Sequence, residues 1–97
     1  MTPQQQPAGQ REIAQLVAQL ENEEGSQESA AAALRDLAGY DVARRAIAAA
    51  GGIAPLVALL RNGAAGGQER AAGALRNLAR NDTNRVEIAE ALVVAAN

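Results

Sequence analysis

The chain has 97 residues, enough for one compact domain, and its 48% hydrophobic content is mostly alanine, with one Tyr and no Phe or Trp. Cys, His and Lys are all absent, which excludes disulfides, thiol chemistry, Cys/His metal sites and His-based acid–base catalysis. The net charge of −2 gives no overall attraction to nucleic acid or an anionic membrane.

The first ten residues, MTPQQQPAGQ, are rich in Pro and Gln and read as a disordered lead-in. They have neither the basic start nor the apolar run of a signal peptide, so the expected location is cytoplasmic or nuclear. No stretch approaches the roughly 20 apolar residues of a membrane span. Charge is uneven along the chain: residues 1–40 carry six acids and two Arg, whereas residues 41–97 carry seven Arg and five acids.

From residue 11 onward the chain repeats itself. Ile13-Ala14-Gln15-Leu16-Val17-Ala18-Gln19-Leu20 returns 40 residues later as Ile53-Ala54-Pro55-Leu56-Val57-Ala58-Leu59-Leu60. Gln27-Glu28 and Ala33-Leu34-Arg35-Asp36-Leu37-Ala38 return 41 residues later as Gln68-Glu69 and Ala74-Leu75-Arg76-Asn77-Leu78-Ala79. Arg44 and Ile47-Ala48 return as Arg85 and Ile88-Ala89. Periods of this length mark helical solenoids, in which each unit buries its apolar face on its neighbour. The domain reading is a lead at 1–10, a first repeat at 11–50 and a second at 51–97.

Punctuation divides each repeat into three helices. Ile53, Leu56, Val57 and Leu60 follow the i, i+3, i+4, i+7 pattern of one buried face. Gly63 and Gly66-Gly67 are expected to break the chain, so a second, longer helix is placed from Gln68 to about Arg80, with Ala71, Ala74, Leu75 and Leu78 inward. A short third helix is expected from Asp41, with Asp as its N-cap, ending at the strong stop Gly51-Gly52. Its counterpart starts near Asp82. There the glycines are replaced by Leu92-Val93-Val94, so the helix is expected to run on to about Ala95.

The run Ala49-Ala50-Gly51-Gly52-Ile53-Ala54-Pro55-Leu56-Val57-Ala58-Leu59-Leu60, followed by Ala74-Leu75-Arg76-Asn77-Leu78-Ala79, closely resembles the armadillo repeat, over roughly residues 11–91. The resemblance implies an all-α fold, a right-handed helical solenoid of about two three-helix repeats, and a non-enzymatic protein that makes protein–protein contacts. It also implies that the long helices, residues 27–39 and 68–80, line a concave groove. In many armadillo proteins an Asn on this helix bonds the backbone of an extended peptide, and Asn77 matches that position. Asp36 stands there in the first copy. The Trp that nuclear-import members place four residues earlier is replaced by Ala32 and Gly73, which removes the stacking that recognition of basic peptides uses. HEAT-type helical pairs are the alternative fold; the Gly-Gly stop and the short third helix argue against them.

Two candidate sites follow. Arg70, Gly73, Asn77 and Arg80 are spaced to share one helix face, with Asp36 at the Asn77 position of the other copy, and form a candidate peptide groove; the same spacing also describes a solvated helix face. The second site is the C-terminal end. Val86, Ile88, Leu92, Val93 and Ala96 are read as an apolar side with no following repeat to cover it, and Val86, Leu92, Val93 and Ala96 are the candidate self-association residues. The first repeat, in contrast, has Gln15 where Pro55 stands, Gln19 where Leu59 stands, and then Glu21, Glu23 and Glu24, as an end meeting water requires. The expected partner is therefore another copy of the chain, making a homo-oligomer, with an extended peptide as the alternative; the other reading of the run-on helix is that it folds back and caps its own chain. The sequence reads as an excised or engineered unit of a longer array.

Other features carry bland readings. Arg44-Arg45, Arg76, Arg80 and Arg85 lack the aromatics that stack bases, so no nucleic-acid partner is expected. Gly63–Gly67 lacks the Gly-Lys-Ser/Thr of a phosphate loop. Asn81-Asp82-Thr83 fits both a glycosylation pattern and a helix cap, and the cap is the reading taken. The carboxylates of Glu21, Glu23 and Glu24 lack a loop that would converge them on a cation, so no metal or cofactor is expected. No nucleophile is paired with a base, so no catalytic residue is assigned.

Overall fold

The computed structural model describes residues 8–22 and 24–96, with the side chains of 9–22 and 25–94. Six α-helices are present among them: α1 (Ala8–Asn22), α2 (Gln27–Leu37), α3 (Asp41–Ala49), α4 (Ile53–Asn62), α5 (Ala65–Leu78) and α6 (Asp82–Ala96), with a 3-10 turn at Glu24–Ser26 ahead of α2. The expected lead at 1–10 lies outside the described residues as far as residue 7, and α1 already begins at Ala8.

The duplicated segments fold alike and stack side by side. The most extensive contact is α2 along α5, the two long helices of matching sequence. α1 and α4 form a second layer, and α6 packs against α4 as α3 packs against α1. One core joins both copies: Ile13, Val17 and Leu20 from α1, Leu34 from α2, Ile47 from α3, Ile53, Leu56 and Val57 from α4, Leu75 and Leu78 from α5. Small residues let the helices come close, since Ala30, Ala31, Ala71 and Ala74 are all buried. Burial of this repeated aliphatic face is what the 40-residue period encodes.

The stop at Gly51-Gly52 is a Schellman cap. Gly52 N–H donates to the Ile47 carbonyl (2.9 Å) and Gly51 N–H to that of Ala48 (3.0 Å). Gly51 takes φ +80°, a left-handed conformation that favours glycine. A side chain at Gly52 would come within 2.7 Å of the Ile47 Cγ2 and 3.3 Å of the Val17 Cγ2. The two glycines thus let α3 and α4 meet at 84° across the short step between them. Leu92 and Val93 occupy the same places one repeat later, and α6 continues through them to Ala96.

Three expectations are corrected. The long helix of the second copy starts at Ala65 rather than Gln68, so Gly66-Gly67 lie inside its first turn. They are small because something lies against them: Glu28's carboxylate occupies the space a Gly66 side chain would need, and a Gly67 side chain would press on Leu59 at 3.1 Å. Arg80 falls beyond α5, in the turn after Leu78. Finally, Asp41 and Asp82 do not cap their helices but stand in the first turn, where a carboxylate favours the positive end of the helix dipole. Tyr40 holds the cap position of α3 without a side-chain bond. Asn81 caps α6, its Oδ1 accepting the Asn84 N–H at 3.0 Å.

Candidate functional site

The proposed groove face lies along the α2–α5 seam, and most of its residues are engaged with neighbours within the chain. Arg70 reaches Glu28 and Glu69, each at 3.8 Å. Gly73 faces the aliphatic part of Arg35; a side chain there would meet the Arg35 Cδ at 2.8 Å. Asn77 Nδ2 donates to the Arg35 carbonyl at 2.9 Å, a contact across 42 residues. Asp36 is exposed and pairs with Arg35 of its own helix at 3.3 Å. Arg80 is exposed in the turn beyond.

The reason Asn77 finds a partner is the way α2 ends. Helices leave their last carbonyls without an intrahelical donor. In α2, Ala38 N–H serves Leu34 and Gly39 N–H swings to Asp36, while Tyr40 N–H serves Leu37. The Arg35 carbonyl is thereby passed over, and the amide from the next repeat supplies its bond. Gln27 and Gln68 do a related service twice. Each donates from Nε2 to the carbonyl of a residue near the end of the preceding helix, Leu20 at 2.9 Å and Leu60 at 3.0 Å.

A second asparagine belongs to the same seam and is absent from the sequence-based candidates. Asn84, 2% exposed, donates from Nδ2 to the carbonyls of Leu78 and Arg44, both at 3.2 Å. A buried amide needs such partners, and the two carbonyls come from the end of α5 and from α3 of the preceding repeat. Its counterpart 41 residues earlier is Ala43, so the repeat pattern carries no sign of it. Its place as the third residue of a helix opened by Asn81 is the available signal.

The arginines read against a nucleic-acid partner are largely occupied locally. Arg44 is turned inward, its Nη1 donating to the Ala38 carbonyl at 2.8 Å. Arg45 pairs with Asp41 at 2.7 Å, and Arg85 pairs with Asp82.

The C-terminal end presents the second candidate site, and α6 is less one-sided than expected. Ile88 points into the core, whereas Val86 (58% exposed) and Val93 (62% exposed) lie on the outward side, and Leu92 sits between Ile88 and that side. The physical reason is helical phase: Val86 and Val93 are seven residues apart and share a face, and Ile88 is rotated well away from it. Ala96 lies outside the residues whose side chains are described. Val94, also exposed, borders an open groove of about 550 Å³ between α4 and α6, floored by Ala54, Ala58 and Ala91 and edged by Arg61 and Glu90. Another cleft, of about 800 Å³, runs between the ends of α1 and α4, touching Leu20, Pro55 and Leu59. Tyr40 and Val42, exposed at the α2–α3 corner, are apolar surface that the repeat comparison does not single out.

Residues 41–80 match the family model of the armadillo/beta-catenin-like repeat. That span is α3, α4 and α5, so the family's unit begins with the short helix; α1 and α2 are its last two helices in the preceding unit and α6 its first in the next. No curated protein and no solved structure matches the chain significantly. Residues 41–80 are therefore an armadillo-like repeat, with helices stacked in the same order on both sides of it.

Proposed function

Armadillo repeats are protein-interaction scaffolds, and we propose that this one makes its contact through the C-terminal face of α5 and α6, with a second copy of the chain as the partner. The observation that carries this reading is a difference between two equivalent residues. Ala31 on α2 is 0% exposed, with α5 lying along its helix, while Ala72, its counterpart on α5, is exposed. The face that one repeat covers recurs uncovered on the next. Val86, Leu92 and Val93 add large apolar surface on the terminal helix, and burying it is the main driving force available for association. The opposite end is polar where α1 shows Gln15 and Glu21 to solvent, so the apolar surface of one copy is best met by the same surface of another, in a closed two-fold contact.

Val86→Asp combined with Val93→Asp tests the proposal, because both side chains are exposed and the fold does not need them. The pair is expected to abolish association with helicity retained. Val42→Asp, on the α2–α3 corner, is the control and leaves association unchanged. Equal loss in both variants, or no loss in the first, would contradict the assignment of the face.

A peptide groove around Asn77 is the less supported reading. The Asn77 amide that would bond a peptide backbone is donated to Arg35, so a peptide has to displace an existing bond, and Ala32 and Gly73 give it no aromatic wall.

A further inference from the structure

The seam between the repeats has a direction. Donors on the following repeat, Asn77 and Asn84, bond carbonyls on the preceding one, Arg35 and Arg44. The second repeat presents the same acceptor again: Arg80 N–H swings to Asn77 as Gly39 N–H swings to Asp36, which leaves the Arg76 carbonyl in the situation of Arg35. A copy added head-to-tail, its α2 laid on this α5, would bring to that carbonyl the residue equivalent to Asn77. That residue is Asp36. An ionised carboxylate accepts hydrogen bonds and donates none, so acceptor would face acceptor. The other donor is missing too, since Ala43 stands for Asn84.

We infer that Asp36 bars head-to-tail stacking of copies, so that association through the C-terminal face closes at a two-fold dimer instead of growing into a filament. The exposed Arg76 guanidinium does not reverse this, because an ion pair at a solvent-exposed edge contributes little. The lost ion pair points the same way: Arg70 faces Glu28 within the chain at 3.8 Å, whereas in a head-to-tail contact Ser29 would face Glu69. The run-on of α6 through Leu92-Val93 adds bulk where the turn into a following helix would be made. The two-fold partner is taken from the self-association reading; the bar on head-to-tail contact stands on the seam alone.

The absence of native cysteine makes thiol cross-linking specific. An equimolar mixture of full-length Ser29→Cys and Glu69→Cys chains brings the two thiols within reach of a short bis-maleimide cross-linker in a head-to-tail contact, by analogy with Glu28 and Arg70, whose long side chains meet at their tips. With Asp36 retained, the mixed cross-link is expected at the random-collision rate. With Asp36→Asn in the Ser29→Cys chain it is expected to form about tenfold faster, the gain of one hydrogen bond made good, and Asp36→Ala, which removes the carboxylate without adding a donor, gives a smaller rise. Trapping that is equal with and without Asp36→Asn, or equal gains from Asp36→Asn and Asp36→Ala, overturns the inference. Light scattering separates this from the self-association reading: a monomeric wild type refutes that reading, while the trapping rates still decide the role of Asp36.

Discussion

The two long helices, α2 and α5, carry nearly the same sequence and live in different surroundings. On α2 and its C-cap, Ala31, Leu34 and Ala38 are fully buried; on α5 and its C-cap their counterparts Ala72, Leu75 and Ala79 are exposed, slightly open and half-buried. Nothing in the residues themselves separates the copies. What differs is the neighbour: α2 has α5 along it, and among the described residues α5 has no equivalent helix. A repeat of this kind is therefore half of a contact, and its sequence states which face needs covering without stating who covers it.

That comparison can be broken by changing matched residues. The largest single loss is expected from core truncation. Leu34→Ala should cost about 3 kcal/mol, in the usual range for a fully buried Leu, and Leu75→Ala about 2 kcal/mol because Leu75 is 6% exposed where Leu34 is fully buried. Paired urea titrations followed by circular dichroism measure both. Equal losses would mean that α5 is as enclosed as α2.

Adding bulk is the converse test. Ala31→Leu forces side-chain volume into a filled seam and should destabilise by about 2 kcal/mol. Ala72→Leu should leave the melting temperature of dilute protein within about 2 °C, as an exposed substitution of a good helix former does. A comparable fall at both positions would show a covering element over α5 that the stack does not reveal.

The turn glycine distinguishes the short helices in the same way. Gly52→Ala should cost about 1–2 kcal/mol, since the new methyl meets Ile47 and Val17. At the matched position α6 already carries Val93, and Val93→Ala should change stability by less than about 0.5 kcal/mol. The polar seam gives a further matched pair. Asn84→Ala removes two hydrogen bonds made by a buried amide, although the Leu78 carbonyl keeps the Asn81 N–H, and should cost about 2 kcal/mol; Asn77→Ala, half-buried with one bond, should cost about 1 kcal/mol. Thermal melts of the two variants in parallel rank them, and the reverse order would show that the groove-side asparagine matters more to the fold than the buried one.

Much of the fold was legible in the sequence because it rests on periodic burial. The Ile13/Ile53 and Leu34/Leu75 series mark the repeat and the inward faces, and Gly51-Gly52 marks the stop. The seam was less legible, for a physical reason. Whether Asn77 bonds a ligand or the Arg35 carbonyl depends on which N–H groups at the end of α2 turn aside, and that is settled 42 residues away. Asn84 has no matching residue in the other copy to announce it. On α6 the apolar residues were visible but not their direction, since Val86, Ile88, Leu92 and Val93 go round the helix rather than along it. Gly66-Gly67 read as a break because glycine usually marks one. Here Glu28 and Leu59 occupy the space beside them, and the helix passes through.

The central claim is that the C-terminal face is completed by a second copy, and light scattering coupled to size-exclusion chromatography over a hundredfold range of concentration tests it most directly. The account predicts a dimer at the upper end that dissociates on dilution and no species beyond it. A helical monomer at every concentration would contradict it.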